Sequence, residues 1–206
     1  MFRILCLVIG YFVGCIQSAF VVGKIMRVDI RKHGSGNLGT TNALRVLGKR
    51  AGAVTFACDI LKSVISFTIC YKLFGGTVAG IYASFGAVLG HDFPFYLKFK
   101  GGKGIAATVG MVGALSVVFN PWMALVTYAI GIFGVLFSGT VSLGSLLFSV
   151  SIPIVLFFMK AEQEMIFVAI IMMFLAFYRH RENIVRLKNG TENRLFGKNN
   201  KDNVVK

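Results

Sequence analysis

The chain has 206 residues, of which 56% are hydrophobic, and a mean hydropathy of +0.75, far more apolar than the core of a soluble domain requires. Its 22 lysines and arginines against 8 acidic residues give a net charge of +14, and the cations form blocks between apolar runs. This composition excludes a soluble globular domain and leaves no room for a nucleic-acid-binding one, whereas the basic blocks suit membrane lipids or phosphorylated substrates.

Hydropathy predicts an all-α, polytopic transmembrane bundle with seven spans. The first apolar run has one charge and no convincing cleavage site, so we expect a retained span rather than a signal peptide. Segments 77–90 and 104–119 are short for a full crossing, which leaves a re-entrant hairpin open. The predicted segments are 4–26, 52–74, 77–90, 104–119, 121–138, 141–159 and 163–178.

The distribution of cations predicts the orientation, because lysine and arginine in short loops stay on the cytoplasmic side. With the N-terminus outside, 17 cations fall in inside segments and 3 in outside ones. We therefore expect an outside N-terminus, a cytoplasmic C-terminus and cytoplasmic polar clusters. The four cysteines lie in apolar segments without CxxC spacing, so we expect neither a zinc site nor a disulfide framework. We also expect no bound metal and no cofactor.

The first polar cluster, residues 33–48, has three glycines within six residues. Glycine permits positive φ, which lets successive N–H groups point at one phosphate. A helix predicted over residues 41–47 would add its N-terminal dipole and Arg45. An ordinary polar turn is the alternative. The other candidate site residues here are Gly34, Ser35, Gly36, Asn37, Thr41 and Asn42.

The second polar cluster, residues 90–104, places a GGKG sequence just before an apolar helix. It resembles an anion-binding loop without the spacing of a Walker A motif. Lys103 is the expected point charge for a phosphate. His91 is either a substrate contact or a structural hydrogen-bonding residue. The remaining candidates for substrate binding are Gly101, Gly102 and Gly104.

The third polar cluster, residues 180–192, follows the last apolar run. A helix beginning near His180 would place His180 and Asn183 on one face and Arg186, a candidate for substrate binding, on the neighbouring one. Glu192 is expected to pair with an arginine in a structural role. We expect one domain over residues 1–198 and a disordered basic tail over 199–206.

Two charged residues lie at membrane depth, where ionisable groups are costly and usually paired. Asp59 and Lys62 are three residues apart on a predicted helix, so they can pair or line the mouth of the bundle.

Three segments resemble the signature motifs of the bacterial membrane acyl-phosphate:glycerol-3-phosphate acyltransferases: GSGNLGTTNALRVLGKRAG, GHDFPFYLKFKGGKGIAAT and HRENIVRLKNGTE. They occur in family order along nearly the whole chain. The resemblance implies transfer of a fatty acyl group from acyl phosphate to the 1-hydroxyl of glycerol 3-phosphate, giving lysophosphatidic acid and phosphate. It also implies seven helices in the bacterial inner membrane, with the motifs facing the cytoplasm.

By motif position, the resemblance ties Ser35 and Arg45 to catalysis and phosphate binding, and Lys103 to the acyl phosphate. It implies that His180 and Asn183 are active-site residues. Departures from the family pattern occur at Thr40, Ser63, Asp92 and Lys98.

Acyl phosphate already carries a good leaving group, so direct attack by the glycerol 3-phosphate hydroxyl is the expected mechanism. The base would be His180 or a phosphate oxygen of the substrate, and an acyl-enzyme on Ser35 is the covalent alternative. A small transporter of an anionic metabolite is the alternative function. The one-sided polar clusters and the lack of an internal repeat argue against it.

Overall fold

The computed structural model describes residues 1–195, so the tail predicted at 199–206 lies outside the described residues. All regular structure in residues 1–195 is helical, which confirms the all-α prediction. The α-helices are α1 Phe2–Gly14, α2 Ser18–Ile25, α3 Thr40–Leu47, α4 Lys49–Phe74, α5 Thr77–Asp92, α6 Ile105–Val118, α7 Trp122–Ser138, α8 Val141–Phe158, α9 Gln163–Arg179 and α10 Arg181–Lys188. Short 3₁₀ helices lie at Ile30–Lys32 and Phe95–Leu97.

The first apolar run differs from the prediction of one continuous helix. It consists of α1 and α2, which are separated by Cys15, Ile16 and Gln17. Gln17 has an extended backbone (φ −90°, ψ 94°), and its fully buried side chain donates to the carbonyl oxygens of Gly90 and His91. Where the helix is interrupted, the side chain of Gln17 thus bonds to the end of α5.

The helices of residues 1–195 differ widely in length. By length and composition, three stretches within residues 1–195 can cross a membrane, namely Phe2–Ile25, Lys49–Phe74 and Val141–Phe158, or four if the bent pair α9 and α10 counts as one. At about 1.5 Å per residue, α5, α6 and α7 are shorter than a hydrocarbon core of about 30 Å. Seven crossings therefore stay a prediction.

Residues 1–114 form a compact unit in which α1 and α5 pack closely. Glycine makes this contact possible: a Cβ on Gly10 or Gly14 would meet the backbone of α5, and one on Gly86 or Gly90 would meet the backbone of α1. Small residues thus let the backbones of α1 and α5 approach each other closely.

A second compact unit begins at Leu115. Its helices α7 and α8 also meet at glycines, since a Cβ on Gly134 would lie 2.9 Å from the Cα of Gly144. After α9 the chain turns by 61° into α10. This bend brings the third polar cluster back to the start of α8.

We expect the change Gly86→Ala to destabilise the protein, because the new Cβ would press on the backbone of Leu7 and Tyr11. Overpacking of this kind costs about 1–3 kcal/mol. The midpoint of thermal unfolding in detergent should fall relative to wild type. Val8→Leu is the matched control, because Val8 lies on the exposed side of α1. An equal midpoint for the two variants would contradict this account of the α1–α5 contact.

Candidate active site

Asn42 holds the first polar cluster in shape. Its Oδ1 accepts a hydrogen bond from the backbone N–H of Ser35 (2.9 Å), and its Nδ2 donates to the carbonyl oxygens of Ile30 (3.4 Å) and His33 (3.2 Å). Gly34 has φ +60° and lies against Asn42, where a Cβ would collide with the amide oxygen. The side chain of Asn42, predicted to bind substrate, is thus bonded within the loop.

Two candidate site residues of the first cluster make no side-chain hydrogen bond or ion pair within residues 1–195. They are Ser35, which is exposed, and Arg45, which is partly buried. Arg45 follows Asn42 by three residues on α3, so it lies on the same side of that helix. At the helix start, Gly39 provides no capping side chain, and the buried hydroxyl of Thr40 has no partner among the described residues.

The rest of the first cluster differs in part from the predicted cradle of N–H groups. The N–H of Ser35 is used by Asn42, and that of Gly36, which has φ +68°, donates to the carbonyl oxygen of His33 (3.0 Å). Asn37 is partly buried and Thr41 is exposed at the start of α3. The predicted anion binding would therefore depend here on side chains and on the α3 N-terminus.

In the second cluster, the backbone of the GGKG segment is hydrogen-bonded to the end of α5. The N–H of Gly101 donates to the carbonyl oxygen of Asp92 (3.1 Å), and that of Gly102 to the carbonyl oxygen of His91 (2.9 Å). Gly104 has φ +71°, and Lys103 is partly exposed between these fixed glycines. The backbone on both sides of Lys103 is thus constrained.

Asp59 and Lys62 form an ion pair, as predicted, and Lys62 also contacts His91. The Nζ of Lys62 lies 2.9 Å from Asp59 Oδ1, 2.6 Å from His91 Nδ1 and 3.2 Å from the carbonyl oxygen of Ile16. Ser18 donates to the same oxygen of Asp59 (2.9 Å). All three ionisable side chains are at most 5% exposed.

A buried carboxylate organises the third cluster. Glu192 accepts hydrogen bonds from Ser142 (2.7 Å), Asn183 (2.8 Å) and Arg186 (2.8 Å), which confirms the predicted pairing with an arginine. Asn183 also donates to the hydroxyl of Ser142 (2.8 Å). Because both amide hydrogens of Asn183 are engaged, it can bind a phosphate only by exchanging one of these partners.

His180 is buried at the junction of α9 and α10, and its Nδ1 lies 2.8 Å from the carbonyl oxygen of Ala176. A carbonyl oxygen can only accept, so Nδ1 carries the proton. In the neutral ring the lone pair is then on Nε2, the nitrogen that could take a proton.

The family model described as glycerol-3-phosphate acyltransferase matches residues 4–190. The chain belongs to this family of enzymes. A glycerol-3-phosphate acyltransferase of Thermoanaerobacter pseudethanolicus is 44% identical over 95% of this chain and 96% of its own length. One of Clostridioides difficile is 41% identical over 93% of this chain and 95% of its own. The resemblance inferred from the three motifs is confirmed.

A solved structure supports the same family. The crystal structure of PlsY (YgiH), an integral membrane glycerol 3-phosphate acyltransferase, in its glycerol 3-phosphate form has a TM-score of 0.86 and 38% identity, covering 95% of this chain and 96% of that one. Its lysophosphatidic acid form has a TM-score of 0.84 and 37% identity, covering 95% of each chain. This acyltransferase is thus a membrane protein of phospholipid biosynthesis.

Three residues that contact the candidate site residues were absent from the sequence prediction. Ser142 contacts Asn183 and Glu192, Ser18 contacts Asp59, and Gln17 holds the end of α5. Small hydroxyl residues are common in apolar helices, so neither serine was distinctive. A glutamine in the middle of an apolar run was the one available signal.

Glu192 should make the stability of this acyltransferase depend on acid pH. Burial would raise the pKa of Glu192, but the hydrogen bonds from Ser142, Arg186 and Asn183 outweigh it, so the pKa lies below its ordinary value of 4.5. Its stabilisation is complete above that ordinary value and is lost as the pH falls through the lower folded value.

We expect Glu192→Gln to unfold at lower temperature than wild type at neutral pH, with a loss of about 1–3 kcal/mol. The difference should shrink in acid. Unfolding midpoints in detergent over a pH series test this, with Glu182→Gln as the control because that side chain is 74% exposed. A constant difference across the series would remove the proposed charge dependence.

Proposed function

We propose that this acyltransferase transfers a fatty acyl group from acyl phosphate to the 1-hydroxyl of glycerol 3-phosphate, releasing lysophosphatidic acid and phosphate. One observation carries the proposal: Arg45 is a partly buried cation with no partner within residues 1–195. It lies on the helix that follows the exposed hydroxyl of Ser35. A cation left unpaired beside a polar loop suits an anionic substrate. The forms in which the PlsY relative was solved, with glycerol 3-phosphate and with lysophosphatidic acid, support the same substrate and product.

The chemistry asks little of the protein beyond placement and charge stabilisation. The glycerol hydroxyl oxygen forms a bond to the acyl carbon, the bond from that carbon to the phosphate oxygen breaks, and phosphate leaves. We propose that Ser35, Arg45, Lys103 and Asn183 bind phosphate groups, and that Gly101, Gly102 and Gly104 shape the backbone around the acyl phosphate.

The hydroxyl proton needs an acceptor. Nε2 of His180 has the lone pair for this, because Nδ1 donates to the carbonyl oxygen of Ala176. A phosphate oxygen of the substrate is the other candidate. Replacing His180 separates them: His180→Gln should lower kcat by about 100-fold or more if His180 is the base, and leave kcat close to the wild-type value if the substrate is.

We propose seven crossings of the bacterial inner membrane, with the N-terminus outside and the chemistry at the cytoplasmic face. The 17 to 3 distribution of cations supports this orientation. The bend of 61° after α9 supports an end of the last crossing at Arg179, since the chain leaves the apolar run there for the polar α10.

Purified protein in detergent, given acyl phosphate and glycerol 3-phosphate, should release inorganic phosphate and form lysophosphatidic acid in equal amounts. Arg45→Gln should lower kcat/KM by about 10-fold or more, the loss expected for one charged hydrogen bond. Arg50→Gln, an exposed cation at the start of α4, is the control. Activity with acyl-CoA and none with acyl phosphate would overturn the proposed donor.

Direct attack predicts that protein incubated with acyl phosphate alone stays unmodified. Peptide mass spectrometry after rapid acid quenching should find no acyl group on Ser35, in wild type or in His180→Gln. An acylated Ser35 peptide would replace direct attack with the covalent route.

A further inference from the structure

The phosphate-binding part of the second cluster rests on His91. Its carbonyl oxygen accepts the N–H of Gly102 (2.9 Å) and the side-chain amide of Gln17 (3.0 Å). Its ring lies against the Cα of Gly102, where an added Cβ would collide with Nε2. One residue thus supports the GGKG segment with both its backbone and its side chain.

Lys62 sets the orientation of the His91 ring through its contact with Nδ1. An ammonium group has three protons, and Lys62 has three acceptors at bonding distance: Asp59 Oδ1, His91 Nδ1 and the carbonyl oxygen of Ile16. As the ammonium partner of Asp59, Lys62 is the donor in the 2.6 Å contact, which assigns the acceptor role to Nδ1. The ring proton is then on Nε2, the atom that faces Gly102.

Asp59 is fixed in turn. Its Oδ1 accepts from Ser18 as well as from Lys62, and its side chain is fully buried. A continuous series of contacts therefore runs from α2 through α4 to the ring that supports Gly102.

Stability alone is a weak explanation for this arrangement. Removing two charges from water costs several kcal/mol, and replacing a buried ion pair with apolar residues is often neutral or stabilising. What the pair does supply is one defined ring orientation and one tautomer at His91, which apolar packing could not enforce.

We infer that Asp59, Lys62 and His91 are positioning residues, which fix the backbone of residues 101–104 so that Lys103 meets the phosphate of the acyl donor. This inference rests on the proposed function for the identity of the donor. It assigns His91 a supporting role, with no part in proton transfer.

The test compares His91→Leu with His91→Gln, because neither change leaves a buried charge unpaired. Glutamine can accept from Lys62 and donate towards Gly102, whereas leucine can do neither. The first measurement is hydrogen–deuterium exchange of the amides of Gly101 and Gly102 in detergent, which needs no substrate. We expect faster exchange in His91→Leu and recovery of most of the protection in His91→Gln.

The second measurement is steady-state kinetics with both substrates. We expect His91→Leu to raise KM for the acyl donor about 10-fold or more, with a smaller change in kcat, and His91→Gln to recover most of that loss. Asp59→Asn and Lys62→Met should shift the exchange in the same direction as His91→Leu. Lys72→Met, an exposed lysine on the same helix α4, should leave exchange and kinetics as in wild type.

Unchanged exchange at Gly101 and Gly102 in His91→Leu would overturn the inference. So would a loss of kcat in both His91 variants with KM unchanged, since that pattern belongs to proton transfer. A wild-type protein that is inactive with acyl phosphate refutes the proposed donor instead, and the exchange experiment still decides the positioning role.

Discussion

Backbone carbonyl groups left open by a break in a membrane helix find no water to bond in the hydrocarbon core, so the protein has to satisfy them itself. Between α1 and α2 this is done by side chains: the hydroxyl of Tyr96 donates to the carbonyl oxygen of Cys15 (2.9 Å), and Lys62 donates to that of Ile16 (3.2 Å). Tyr96 belongs to the second polar cluster and Lys62 to the network that supports it. The break and the second polar cluster are therefore held by the same contacts.

In each compact unit, a buried carboxylate gathers donors beside a polar cluster. In the first, Asp59 accepts from Ser18 and Lys62. In the second, Glu192 accepts from Ser142, Asn183 and Arg186. An ionised carboxylate only accepts, so it can gather several donors from different helices at one point. The polar clusters thereby keep their shape without a substrate.

The sequence allowed the helices to be predicted closely, because apolar runs separated by basic, glycine-rich turns determine where spans begin and end. It did not reveal the break at Gln17, since averaged hydropathy hides one polar residue among apolar neighbours. The three clusters and the Asp59–Lys62 pair were also predictable from residue type and spacing. The roles of Asn42 and Ser142 were not, because their contacts depend on how loops fold back on helices, which no local pattern encodes.

Asp59 and Lys62 lie three residues apart on the same helix, so their contact does not depend on any other part of the chain. During biosynthesis α4 can therefore enter the lipid phase as a locally neutralised segment, before α5 and its histidine arrive. If the two charges lay on different helices, each would have to enter the bilayer without its partner. That would cost about 2.5–3.5 kcal/mol per charge at the bilayer centre. The short spacing reconciles a charged support for the loop with efficient insertion.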